Sequence, residues 1–188
     1  MNAYPLKLSF KLIAVSPQVK ITDAQDRLIL YVRQKALALK EDVKVFADEA
    51  QQQQLYQIKA DRIIDWSAAY TVTRPDGSQV GAIRRQGRKS LWRATYHILD
   101  SVGNEVGLMH EETPWKKLVD GLVPFAGYFV NPAYLIDLRG QTMLYLKKER
   151  SLVEGRFTLE QRGAVTDADE TLLLPSLIMM LMLERARG

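Results

Sequence analysis

The last apolar stretch, Leu172-Leu-Leu-Pro-Ser-Leu-Ile-Met-Met-Leu-Met-Leu183, limits what this chain can fold into more than any other feature. Apart from Pro175 and Ser176 it carries no interruption, and no period gives it a polar face. A helix that is apolar all round must be enclosed on every side, by protein or by lipid. At about 1.5 Å per residue, a dozen residues reach roughly 18 Å, well short of the ~30 Å hydrocarbon core of a bilayer. The stretch therefore reads as a helix inside a protein shell. Asp167-Ala-Asp-Glu170 before it suits a helix N-terminus, and Arg185 and Arg187 suit the opposite, negative end of the dipole. The core helix is expected at about 170–186, with Pro175 marking either its start or a kink.

The rest of the chain supplies the shell. From Leu6 to Val15, apolar residues at Leu6, Leu8, Phe10 and Leu12 alternate with polar ones, the period of a half-buried strand. Five strand–turn–strand units follow, centred on Asp23–Asp26, Asp48–Gln54, Pro75-Asp-Gly-Ser78, Asp100-Ser-Val-Gly-Asn104 and Arg139-Gly140. Asp, Asn and Gly supply turn conformations that branched residues resist. The first four turns lie about 25 residues apart, and the step to the fifth is longer by about a dozen. Adding Leu6–Val15, Lys35–Lys40, Trp66, Leu91 and Arg156–Gln161 as flanking strand material gives about twelve strands. That many antiparallel strands close into a barrel or split into a sandwich. A barrel of that size is too wide for its own side chains to fill, and the terminal helix is the natural plug. The expected fold is mainly β: a closed antiparallel barrel around a C-terminal helix, one domain over 1–188. An insertion at about 111–131 opens with Thr113 and Pro114, suited to a helix start, and is then punctuated by Gly121, Pro124 and Gly127.

Composition narrows the chemistry. The 188 residues contain no cysteine, which excludes disulfides and thiolate metal sites and fits a reducing compartment. Lys and Arg exceed Asp and Glu by 26 to 22, a net charge of +4 that mildly favours anionic partners. The N-terminus lacks a basic stretch followed by a continuous apolar one, so a cytoplasmic location is expected, with peripheral membrane contact as an option.

The densest charge lies in Arg84, Arg85, Arg88, Lys89 and Arg93, five cations within ten residues and no acid among them. Guanidinium groups match phosphate oxygens bidentately, so the run is a candidate surface for an anionic phospholipid headgroup. The plain alternative is a solvated strand end whose charge blocks edge pairing. Nucleic acid is the less favoured anion. Lys147, Lys148 and Arg150 form a smaller group of the same kind. Trp115, Lys116, Lys117 and Phe125, in the insertion, are candidates for a membrane or protein interface, against the alternative of a lid packed over one barrel mouth. Asp167 and Asp169 lack the spacing of a calcium loop and read as capping residues. His97 and His110 have no neighbouring ligand pattern. No nucleophile elbow or phosphate-cradling loop is present, so no catalytic residue, metal or cofactor is expected. Met179, Met180 and Met182 read as core filling.

The hairpin series through Asp23, Pro75-Asp-Gly77 and Gly103-Asn104, with Lys35-Ala-Leu-Ala-Leu-Lys40, Gly127-Tyr-Phe-Val-Asn-Pro-Ala-Tyr-Leu135 and the Leu172–Arg185 stretch, resembles the LURP-one-related family. That fold is shared with tubby C-terminal domains and phospholipid scramblases. The resemblance implies a twelve-stranded barrel enclosing a C-terminal helix and brings no catalytic motif. It points to a phosphoinositide-type tether or a lipid-handling protein, with a protein-interaction barrel as the alternative. The palmitoylated cysteines of scramblases have no counterpart here.

Overall fold

The computed structural model describes residues 2–11, 18–33, 42–61, 69–86, 95–112, 133–149 and 154–185. Among them, twelve strands form one closed antiparallel barrel around a single helix. The strands are β1 (Leu6–Lys11), β2 (Gln18–Thr22), β3 (Leu28–Arg33), β4 (Asp42–Phe46), β5 (Gln54–Ala60) and β6 (Ala69–Thr73). They continue with β7 (Gln79–Arg85), β8 (Thr95–Leu99), β9 (Glu105–Glu111), β10 (Ala133–Leu138), β11 (Gln141–Glu149) and β12 (Glu154–Gln161), and helix α1 spans Asp167–Arg185. Each strand pairs with its neighbours in sequence, and β1 closes the ring against β12 with Leu8 opposite Phe157. Closure leaves no strand edge exposed along the ring. Among the described residues, β3 meets β4 with Tyr31 opposite Phe46.

All five predicted hairpins are present, and the first four share one turn geometry. The N–H of Asp26, Gln51, Gly77 and Gly103 donates to the carbonyl three residues earlier, at Asp23, Asp48, Arg74 and Asp100, over 2.9–3.2 Å. Each of those donor residues has positive φ, from 59° to 92°, and each hairpin has a register shift beside its turn. This is a type I turn followed by a left-handed residue at a bulge, a standard three-residue hairpin connection. Aspartates hold it: Asp23 accepts the Gln25 and Arg27 N–H groups, Asp48 those of Gln52 and Gln53, and Asp100 those of Val102 and Asn104. The fifth hairpin is tighter, with both Arg139 and Gly140 at positive φ, as a two-residue turn of mirror-image type requires.

These turns gather at one mouth of the barrel, where α1 also begins. Every residue from Leu172 through Leu183 is buried, as an all-apolar helix requires. Inward-facing strand residues complete the core, Leu6, Leu8 and Phe10 among them at 0–4% exposure. Gly81 marks where α1 comes closest to the wall: a Cβ there would strike the Leu99 carbonyl oxygen and the Leu172 side chain.

One boundary shifts. The helix starts at Asp167, before the expected 170, so Asp167–Glu170 form its first turn, and Pro175 lies inside it. The cap is Thr166: its hydroxyl accepts the Asp169 N–H at 3.2 Å, and the Asp169 carboxylate accepts the Thr166 N–H at 3.0 Å. That reciprocal pair is a capping box. It satisfies the free N–H groups early enough for the helix to run through Pro175, whose missing N–H leaves the Thr171 carbonyl without its usual donor. Ser176, inside the apolar run, directs its hydroxyl to the Leu172 carbonyl at 2.8 Å, so its burial leaves no free donor. The expected strand material at Lys35–Lys40, Trp66 and Leu91 and nearly all of the insertion at 111–131 lie outside the described residues.

Candidate anion site at the barrel mouth

β7 leaves the turn mouth at Gln79 and reaches the opposite mouth at Arg85, in the same direction as α1. Successive strand residues face opposite sides of the wall. Gly81 and Ile83 face the helix, and Arg85 continues that inner row, half-buried. It sits directly across from Tyr96 of β8, which is 0% exposed. Tyr70 of β6 pairs with Ile83, one step diagonal from Arg85, and is 6% exposed. Burial raises the Tyr70 hydroxyl pKa, and the positive charge of Arg85 pulls it partly back. The Tyr96 hydroxyl donates to Glu184 near the end of α1. The inner wall at this mouth thus carries two tyrosines around one arginine, facing a carboxylate. The Arg85 Nε is enclosed and meets no hydrogen-bond partner among the described residues.

Arg84 points the other way. It is exposed on the outer wall opposite His97, with its Nη2 3.7 Å from Glu105. Glu105 also holds His97 Nδ1 at 2.7 Å. The two arginines adjacent in sequence therefore lie on opposite faces and cannot grip the same phosphate side by side. Arg88, Lys89 and Arg93 lie outside the described residues, as do Trp115, Lys116, Lys117 and Phe125. In the smaller group, Lys147 is exposed and Lys148 half-buried, while Arg150 is outside the described residues.

The outer wall continues with His110, whose Nε2 lies 3.0 Å from Asp137 Oδ2, and Asp137 also accepts the Thr142 hydroxyl at 2.7 Å. Both histidines are thus engaged by carboxylates across neighbouring strands. Among the described residues, no group of three or more His, Asp and Glu side chains is arranged to hold a metal.

At the turn mouth the acids of α1 are structural. Asp169, 3% exposed, meets Thr166 and Arg139 Nη1, the latter at 2.9 Å. Burial alone would raise its pKa, but the hydrogen bonds from Thr166 and the contact with Arg139 outweigh burial and lower it. Glu170 is 6% exposed and accepts both the backbone N–H and the side-chain amide of Asn2, tying the N-terminus to the helix. Tyr4 is held above the usual tyrosine range by burial and by the charge of Glu170. A cleft of about 280 Å³ opens here, lined by Asn2, Ile29, Leu55, Asp167, Glu170 and Leu174 among others.

Sequence reasoning missed the Tyr70–Arg85–Tyr96 grouping. The alternation Gly81, Ile83, Arg85 was the available signal; the cross-strand register was not.

The class defined by this architecture is a twelve-stranded antiparallel barrel threaded by a C-terminal helix. Within it, residues 28–95, from β3 to the start of β8, match the LURP-one-related family model. No curated protein and no solved structure matches the chain. Among the described residues, no helix is long and apolar enough to cross a membrane.

Proposed function

We propose that this protein is a non-enzymatic binding or tethering module of the LURP-one-related type that engages anionic phospholipid headgroups. The observation that carries the reading is the cationic run from Arg84 to Arg93, which starts at the last two residues of β7, where that strand reaches the mouth opposite the hairpin turns. Clustered cations near an anionic membrane are worth about 1 kcal/mol each and lose strength with salt. In this reading the protein is cytoplasmic and peripheral at the membrane, in the manner expected of tubby-like relatives, and uses no cofactor. A scramblase-like role that ejects α1 is disfavoured, because each leucine exposed costs ~1.5–3 kcal/mol and Leu172, Leu173, Leu174, Leu177, Leu181 and Leu183 are all buried.

Vesicle flotation tests the proposal. Wild type and the Arg84→Glu/Arg85→Glu variant are mixed with neutral or anionic liposomes at low and physiological salt. Binding that requires anionic lipid, weakens with salt and disappears in the variant supports tethering. No flotation of wild type at low salt overturns it and leaves a protein-interaction barrel, whose partner a pull-down would then seek.

A further inference from the structure

We propose that Arg85 and Tyr70 form a binding site for a single phosphate group on the inner wall of the barrel mouth, and that Arg84 takes no part in it. The proposal rests on the tethering reading for its lipid source and deepens it by naming the residues that grip the headgroup. Arg85 is half-buried, its Nε is enclosed without an acceptor, and no carboxylate among the described residues forms an ion pair with it. A guanidinium N–H withdrawn from water without a partner is unfavourable, and an oxyanion supplies the missing acceptor. The Tyr70 hydroxyl belongs to a side chain only 6% exposed and lies on the same inner face one strand away. The register thus sets two donors diagonally on one inner face, one charged and one neutral.

The other groups around them narrow the ligand. The Tyr96 hydroxyl is committed to Glu184, so it is not a third donor, and the Glu184 carboxylate sets a negative limit on one side. One cation facing one carboxylate suits a lone phosphate and disfavours a polyphosphate chain. Arg84, exposed and beside Glu105 on the outer wall, is outside this geometry. The same phosphate chemistry is found in a lipid headgroup and in a soluble phosphate ester, and the test separates them.

The intact protein would be titrated with glycerol phosphate while the arginine Nε–H signals are followed by heteronuclear NMR. In parallel it would be floated on phosphatidylcholine vesicles with and without phosphatidylserine. Arg85→Gln, Tyr70→Phe and Arg84→Gln are compared with wild type, and melting curves check each fold. The expected result is a shift of the Arg85 Nε–H signal in wild type. Arg85→Gln should lose roughly tenfold or more in affinity for glycerol phosphate, the size of one charge-assisted hydrogen bond, with a smaller loss in Tyr70→Phe and none for that probe in Arg84→Gln. Should Arg85→Gln fail to fold, the NMR shift and Tyr70→Phe carry the test. Glycerol phosphate binding that depends on Arg85 without flotation would uphold the site and remove the membrane tether. Flotation indifferent to Arg85 and Tyr70 would overturn the site and leave the tether standing. Wild type that binds neither probe overturns both.

Discussion

Truncating Leu177 to alanine tests whether α1 is the filling of the barrel. Leu177 is 1% exposed, and its neighbour Ile178 is 0% exposed, in a helix enclosed by a ring that closes on itself. A closed wall cannot collapse onto the vacated space as an open sheet can, so the loss belongs in the upper part of the range for buried leucines, about 3–5 kcal/mol. For a chain of 188 residues, each kcal/mol lowers Tm by roughly 2–4 °C, so a fall of about 6–20 °C is expected. Urea denaturation followed by far-UV circular dichroism would show a lower midpoint with an unchanged slope, because the surface exposed on unfolding is nearly the same. Val102→Ala, at a turn residue 79% exposed, serves as the control and should move stability by no more than about 0.5 kcal/mol. A harsher variant, Leu181→Asp, places a carboxylate at a position 4% exposed and should abolish folding. If Leu177→Ala melts with wild type and Leu181→Asp is soluble and folded, the helix is not enclosed and the reasoning fails.

Gly81→Ala should destabilise by about 1–3 kcal/mol in thermal melts, since the new methyl meets a backbone carbonyl and Leu172. Gly103→Ala, with open space around it but φ +92°, should lose about 1 kcal/mol through backbone strain alone. Acid should unfold the protein through its turns. The Asp48 pKa is lowered by the Gln53 and Gln52 N–H groups; at Asp100 burial raises it, but the Asn104 and Val102 hydrogen bonds outweigh that. A carboxylate whose folded pKa is depressed adds stability that is present above its unfolded pKa, near 3.9, and is lost as pH falls through the folded value. Asp100→Ala should therefore melt below wild type at neutral pH, and the gap should shrink as pH falls below the unfolded carboxylate value; a constant gap would assign the effect to something other than charge.

The barrel was legible because its turns are written locally. Asp23, Asp48, Asp76 with Gly77, and Asp100 with Gly103 each announce a reversal within a few residues, and the apolar stretch from Leu172 announces the plug that a wide ring needs. The helix start falls three residues before the expected 170 because the Thr166–Asp169 box, six to nine residues ahead of Pro175, sets the boundary. The site was the least legible part. Composition presents Arg84 and Arg85 as a pair, but period-two geometry splits them across the wall. The partners that decide what each can do, Glu105 for Arg84 and Tyr70 and Tyr96 around Arg85, come from other strands whose register no local signal encodes.

Native-state hydrogen exchange of the α1 amides, with and without anionic vesicles, tests the central claim most directly. A barrel that binds lipid with its helix in place predicts that amides from Leu177 to Leu183 exchange only through global unfolding, and that vesicles leave them as slow or slower. Fast exchange in the free protein, or acceleration on the vesicles, would mean that the helix leaves the barrel and would contradict the account.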